Sequence, residues 1–425
     1  MLVSVIIPTF KRKSDLEILL PQLKEVLKDI PHEIIIVNIK KKLNQPEIAE
    51  QFGAHFLDLS HLSRRERKYG RALRAGLDAA RGDFLITMDA DYALRPTFIL
   101  DMLAAKDAGE VIIDSRFVPG GSSKVSFLRR QFSRAANALL RWLLALPVKD
   151  ISSGFRMYQR RIFEDFSLSA RHFDILEEIL VKAHAYGWKF HEIPFADHPR
   201  RRRESIFRSW LVTFSVLSTL FKMWQLRNSL FSADYDERAY NSLIPFQRWW
   251  QRMRYKIIIE FIEDETSVLD IGCGTGRVFQ DLPGAVGLDI QLKILRYLKR
   301  KGHILVRGDM NALPLKDGSF KTVICSEVIE HIPKERLKIS EFYRVLKPGG
   351  TLILSTPDYD QAMWRFLERV YARVHPGAYA PQHISHYTAR ELLTLIHSSG
   401  FRLLDLRYLF ASVIIIKARK AKNDL

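Results

Sequence analysis

Residues 82–91 read Gly-Asp-Phe-Leu-Ile-Thr-Met-Asp-Ala-Asp: an apolar strand over residues 84–88 delivers two carboxylates, Asp89 and Asp91, to its carboxyl end. With one residue between them, both can offer hard oxygen ligands to one divalent cation, magnesium or manganese, shared with a diphosphate. A metal held there neutralises charge building on a leaving nucleotide. The same pair also occurs in solvated turns, so its weight depends on what surrounds it.

Working outward, residues 3–7 form a β-branched strand ended by Pro8, and residues 33–37 form a second apolar strand. Residues 71–80 carry a helical pattern, and residues 111–113 make another short strand. This alternation predicts an α/β sheet with helices on both faces. Residues 125–147 then read as one long helix, its apolar positions punctuated by Arg129, Arg130, Arg134 and Arg141. A basic run, Arg200, Arg201, Arg202 and Arg203, precedes an uncharged stretch at 209–221. That stretch is shorter than the roughly 20 residues a membrane span needs; an interfacial or a buried core helix suits it better.

After Arg227 the character changes. Residues 229–256 are aromatic and basic, with Tyr240, Trp249 and Trp250, which suit either a lid over substrate or core packing. A new strand–glycine loop–helix unit opens at Ser267. The boundary is expected near Asn228, giving domains at 1–228 and 229–425.

The second unit opens on Val268-Leu269-Asp270-Ile271-Gly272-Cys273-Gly274-Thr275-Gly276. Glycines at 272, 274 and 276 let the backbone turn tightly and approach a ligand. The next strand ends at Asp289, placed to accept from ribose hydroxyls. Asp309 and Met310 follow where an adenine would lie, and then Leu346-Lys347-Pro348-Gly349-Gly350 leads into a strand. A nicotinamide enzyme would normally show G-x-G-x-x-G and would not explain the last motif. Glu327, Glu330 and His331, spaced i, i+3, i+4, would share one helix face beside the cofactor pocket. With His383 or His386 they could hold a second divalent cation, or be an ordinary helix feature.

Bulk properties narrow the function classes. The 425 residues are 47% hydrophobic and 27% charged, enough for two packed cores, and the net charge is +18. Such an excess favours an anionic partner: nucleic acid, a phosphorylated substrate or acidic lipid. Two cysteines build no disulfide framework, which suits a reduced, cytoplasmic chain. The opening MLVSVIIPTF reads as a strand, without the flanks of a signal peptide.

Two resemblances follow. VSVIIPTF, YGRALRAGLDAARGDFLITMDAD, SRFVPGG, LPVKDISSGFRMY and EILVKAHAYGWKFHEIPF, in that order over about residues 3–227, resemble the polyprenyl-phosphate sugar synthases of glycosyltransferase family 2. The resemblance implies a GT-A-like fold. It places Asp89 and Asp91 on the metal, with Asp150, Arg156 and Asp91 at the reacting centre. Pro8, Arg116, Arg202, Arg203 and Ser205 would lie along donor or acceptor phosphate. The family's Asp-Asp-x-Ser after the second strand is replaced by Val37-Asn38-Ile39-Lys40, and Ala93 stands where relatives often carry a third ligand. Residues 229–418 resemble class I S-adenosylmethionine methyltransferases, a Rossmann-like fold. That likeness implies cofactor binding by Asp270, Gly272, Gly274, Gly276, Asp289, Asp309 and Met310.

Together these imply a bifunctional enzyme of glycoconjugate assembly. A nucleotide sugar would donate to a polyprenyl or dolichyl phosphate, and a hydroxyl would be methylated from S-adenosylmethionine. The enzyme would be peripheral on the cytoplasmic face of a membrane, with no nucleic-acid partner. One alternative keeps the methyltransferase active and makes the first domain a lipid- or sugar-binding module. The other is a nucleic-acid methyltransferase that uses its basic surface on phosphates.

Overall fold

A computed structural model describes residues 1–9, 13–39, 46–63, 66, 68–90, 95–123, 126–197, 210–374 and 383–421. The chain divides into two units: Met1–His184 with Trp188–Arg227, and Ala185–Gly187 with Asn228–Leu425.

The first unit is built on seven strands: β1 (Val3–Thr9), β2 (His32–Asn38), β3 (His55–Asp58), β4 (Phe84–Thr87), β5 (Val111–Ser115), β7 (Arg156–Gln159) and β8 (Phe190–Pro194), ordered β3-β2-β1-β4-β7-β5-β8. A separate two-stranded ladder joins β6 (Ser122–Ser123) to β9 (Ala196–Asp197). β1, β2 and β5 are almost continuously buried, which is why they read as unbroken apolar runs rather than alternating ones. β1 does not stop at Pro8 as the sequence suggests but runs to Thr9. Its even-numbered residues face β4, and β4 pairs only as far as Ile6↔Thr87. Pro8 has no N–H to donate, and the β1–β4 ladder has ended before it is reached.

β7 runs antiparallel between β4 and β5, which are otherwise parallel in sense to the rest. Consequently the chain enters β7 at the same edge where β4 and β5 leave, and Asp89, Arg116 and Asp150 gather there. Over this unit lie the helices Phe127–Leu144 and Trp210–Arg227. Arg227 is fully buried and donates to the carbonyls of Leu144 and Ala145 at 2.9 Å each, tying the two helix ends together. Among the described residues, no helix is long and apolar enough to cross a membrane.

The second unit carries β10 (Val268–Ile271), β11 (Val286–Asp289), β12 (Ile304–Arg307), β13 (Phe320–Ser326), β14 (Leu346–Pro357), β15 (Phe401–Leu409) and β16 (Val413–Lys420), ordered β12-β11-β10-β13-β14-β16-β15. The first five are parallel, and β16 inserts antiparallel between β14 and β15. β10 is followed in sequence by β11 on one side, while β13 flanks it on the other. Strand order thus reverses at the end of β10, where open α/β sheets form their ligand crevice.

Candidate active sites of the two units

In the first unit, Asp89 stands two residues beyond β4, positioned by the Met88 N–H to Ile6 carbonyl bond of 3.1 Å. It is hydrogen-bonded to the hydroxyl of Tyr69, which opens the helix Tyr69–Ala79. Burial, reinforced by the Asp89 charge, holds that phenol far above its ordinary range. Tyr69 is in turn stacked on Phe173, with ring centres 4.2 Å apart. Asp91 and the phosphate-side residues Arg202, Arg203 and Ser205 lie outside the described residues.

Asp150 is wholly buried, and both its oxygens are engaged by Arg116 in a fork of two 2.7 Å bonds. The Arg116 backbone N–H adds a third at 3.1 Å, and the same guanidinium reaches Ser152. Arg116 therefore sits on a carboxylate of its own chain. Arg156 is also fully buried, donating to the carbonyls of Leu176 and Ile151 at 2.7 and 2.5 Å, with its Nε unpartnered. Beside them, burial pushes Asp114 up to about 8 despite a hydrogen bond from Ser153. Asn137, on the helix Phe127–Leu144, accepts from the N–H groups of Ile151 and Ser152, fixing this loop to that helix. Pro8 lies at the same sheet edge, one residue before the end of β1.

In the second unit, a cavity of about 90 Å³ opens at the switch point. Asp270, Gly272, Gly274, Arg254, Tyr240 and Asp236 are among its lining. Gly274 has φ +50°, and a Cβ there would lie 2.5 Å from Asp236 Oδ2, so no other residue fits without moving that carboxylate. Three carboxylates surround the loop. Burial lifts Asp270 to about 7 and raises Asp236 and Asp289 as well. Arg254 opposes the shift at Asp236 and Asp270. Asp289 accepts from the Gln291 N–H at 2.9 Å, which anchors the crevice rim. Asp309 is exposed and caps a turn through Asn311, whereas Met310 is buried beneath it. Such a ring of buried carboxylates suits a ligand that brings positive charge.

Beyond β13 the expected helix is absent. Glu327 takes φ +58°, and a single short turn, Ile329–His331, replaces it. The i, i+3, i+4 spacing therefore does not align the three side chains. Glu327 instead turns toward Arg254, 3.8 Å away, and accepts from Ser355. Glu330, His331 and His383 converge, with one ligand atom of each within 4.8 Å of the others. The Glu330 carbonyl achieves this by accepting from the N–H groups of Ile384 and Ser385 at 2.8 and 2.9 Å. His386 stacks on Tyr359 instead, ring centres 3.9 Å apart.

Residues 4–167 match the family described as Glycosyl transferase family 2, and residues 269–354 match the family described as Methyltransferase domain. A protein of Encephalitozoon cuniculi, named as a candidate methyltransferase, is 31% identical over 183 residues, 40% of this chain and 86% of its own. The chain joins a family 2 glycosyltransferase domain to a class I methyltransferase domain. A dolichol-phosphate mannosyltransferase of Pyrococcus furiosus is 31% identical over 229 residues, 52% of this chain. A polyprenol monophosphomannose synthase of Mycolicibacterium smegmatis is 32% identical over 173 residues, 39% of this chain. The chain spans 64% of the length of each of these two relatives.

Two residues of these domains carry no signal in the sequence. Tyr69 of the glycosyltransferase domain looks like one more aromatic at a helix start. Asp236 of the methyltransferase domain lies more than thirty residues before the glycine loop it touches, on the short helix Tyr235–Tyr240. Of the aromatic residues before β10, Tyr240 lines the cavity with Arg277 stacked over its ring at 4.3 Å. Trp249 lies at the surface against Phe246 and Phe410.

Proposed function

We propose that the glycosyltransferase domain moves a sugar from a nucleotide donor to a polyprenyl phosphate at a membrane surface, and that the methyltransferase domain O-methylates a hydroxyl in the same pathway. S-adenosylmethionine is its methyl donor. The observation that carries the first half is a strand-end carboxylate, Asp89, in a domain similar to two polyprenol-phosphate mannosyl enzymes. With Asp91 it would hold magnesium or manganese against the donor diphosphate. The loss of Asp-Asp-x-Ser favours the binding-module alternative. Against it, Asp58 at the end of β3 pairs with Asn38 across the strands at 3.0 Å, so a carboxylate remains at that edge of the sheet.

The membrane reading draws on the helix Phe127–Leu144. Leu128, Phe132, Leu139 and Trp142 recur on one face and are 81, 77, 61 and 66% exposed. Arg130, Arg134 and Arg141 lie on the same helix, off that stripe. From the neighbouring helix, Leu217 and Phe221 are exposed as well. Apolar burial and attraction to lipid phosphate would then act together at headgroup depth. The protein should float with anionic vesicles and release partly in high salt, because Coulombic attraction is screened beyond about 10 Å at 0.1 M. Leu139→Glu combined with Trp142→Glu should abolish flotation; undiminished binding by that variant would remove the helix from the membrane contact.

Mass spectrometry of polyprenyl-phosphate reactions, offered a panel of nucleotide sugars with and without S-adenosylmethionine, tests the whole reading. Asp89→Asn should lower transfer by roughly a hundredfold or more, in line with loss of one electrostatic stabiliser of a transition state. Full activity in excess chelator would sink the metal-bridged mechanism. No transfer with any donor would leave the binding-module alternative standing.

A further inference from the structure

The convergence beyond β13 has no task in sugar transfer or in holding the methyl donor. We propose that Glu330, His331 and His383 form a divalent-cation site in the methyltransferase domain, which takes a substrate presenting two neighbouring oxygens. This rests on the reading of that domain as an S-adenosylmethionine-dependent methyltransferase.

The geometry starts with Glu330. It is 1% exposed, and only one of its oxygens is satisfied, by Thr356 Oγ1 at 3.1 Å. Oε1 is buried with no hydrogen-bond partner. A buried carboxylate oxygen left unpaired costs on the order of 1–3 kcal/mol, and the Glu330 carboxylate lies in the group formed with His331 and His383.

His383 is held for the role by a relay. Tyr359 Oη lies 2.9 Å from Glu368 Oε1 and 2.7 Å from His383 Nδ1. The phenol has one proton, and the carboxylate can only accept it. Nδ1–H of His383 therefore donates to the phenol oxygen, which assigns the acceptor lone pair to Nε2. A histidine–phenol–carboxylate chain of this kind orients and enriches a metal-binding imidazole. Trp364 stacks on the same ring at 5.9 Å and limits its rotation.

One carboxylate and two imidazoles suit manganese, zinc, iron or cobalt better than magnesium or calcium, which prefer all-oxygen shells. Three protein ligands leave positions open for substrate. The turn begins three residues after Ser326, which lines the cofactor cavity. A substrate bound there would chelate through a hydroxyl and an adjacent hydroxyl or carbonyl oxygen. The hydroxyl would lose its proton to solvent and its oxygen would bond to the methyl carbon. The carbon–sulfur bond breaks with its electron pair remaining on sulfur.

The test uses the full chain with manganese as the probe, read by pulsed electron paramagnetic resonance for nitrogen coupling. A carboxylate-only site in the glycosyltransferase domain gives no such coupling. Wild type should bind one manganese with histidine nitrogen couplings. Glu330→Gln and His383→Ala should each weaken that signal at least tenfold, while S-adenosylmethionine affinity stays within about twofold. Absence of nitrogen-coupled manganese in wild type at millimolar metal overturns the site, and so do couplings unchanged in both variants. If His383→Ala loses cofactor binding through misfolding, His383→Gln, which keeps the side-chain volume, takes its place under the same criterion. Failure of wild type to bind S-adenosylmethionine would instead overturn the methyltransferase reading, whatever the manganese result.

Discussion

Arg116→Ala should destabilise the glycosyltransferase domain by about 3–5 kcal/mol, the usual cost of stranding one member of a buried ion pair. Asp150 is fully buried and would keep only N–H and hydroxyl donors, those of Arg116 itself and Ser152. For a domain of this size each kcal/mol moves the midpoint by about 2–4 °C, so a fall of the order of 10 °C should appear in the calorimetric transition of that domain. Arg116→Lys should rescue little, because an ammonium cannot reproduce the two parallel bonds of the guanidinium fork. Were Arg116 instead a phosphate ligand, as the family resemblance implies, the alanine variant would keep its midpoint and raise the donor KM.

Asp289→Ala should weaken S-adenosylmethionine by about 1.5–3 kcal/mol, the worth of a hydrogen bond to a charged group, or roughly ten- to 150-fold. The same calorimetry should show a pH dependence. Burial holds Asp270 up at about 7 in the free domain, so near neutrality it carries a proton part of the time. A cationic ligand favours the ionised form and lowers that value. Binding therefore releases protons, and affinity should rise as pH climbs through about 7, flattening once Asp270 is ionised in both states. S-adenosylhomocysteine has no sulfonium charge and should show less of this. Unchanged affinity in the alanine variant would take Asp289 out of the site, and zero proton release would remove Asp270 from the electrostatic argument.

Much of the architecture is legible before any coordinates. The strands that carry it are buried on both faces, and a run such as Val3-Ser4-Val5-Ile6-Ile7 has few other uses. The glycine loop is legible because positive φ at 272, 274 and 276 admits almost nothing else. β7 is a different case. Its four residues, Arg-Met-Tyr-Gln, are too few to establish a period, yet this strand reverses direction inside the sheet and carries Arg156. The Glu327, Glu330 and His331 spacing points to a helix only if the backbone continues in one hand, and Glu327 breaks it with a left-handed turn. His383 reaches Glu330 through main-chain hydrogen bonds from Ile384 and Ser385, which no side-chain pattern encodes. The fork between Arg116 and Asp150 is hidden for the same reason. Each residue is recognisable alone, but their pairing depends on β5 and β7 being neighbours.

The position of β16 inside its sheet sets an order of events during synthesis. This strand, Val413–Lys420, is flanked by β14 and β15, and Ile414, Ile415 and Ile416 are fully buried. The methyltransferase sheet cannot close until Lys420 has cleared the ribosome, whereas every strand and helix of the glycosyltransferase domain precedes Asn228. At 5–20 residues per second the first domain gains a head start of about 10–40 s. From the completion of β14 at Pro357 until Lys420 is added, about 3–13 s at the same rate, β14 presents an unpaired apolar edge, an invitation to chaperones or to another nascent chain. A message truncated within β16 would then yield a finished first domain tethered to one that cannot complete itself.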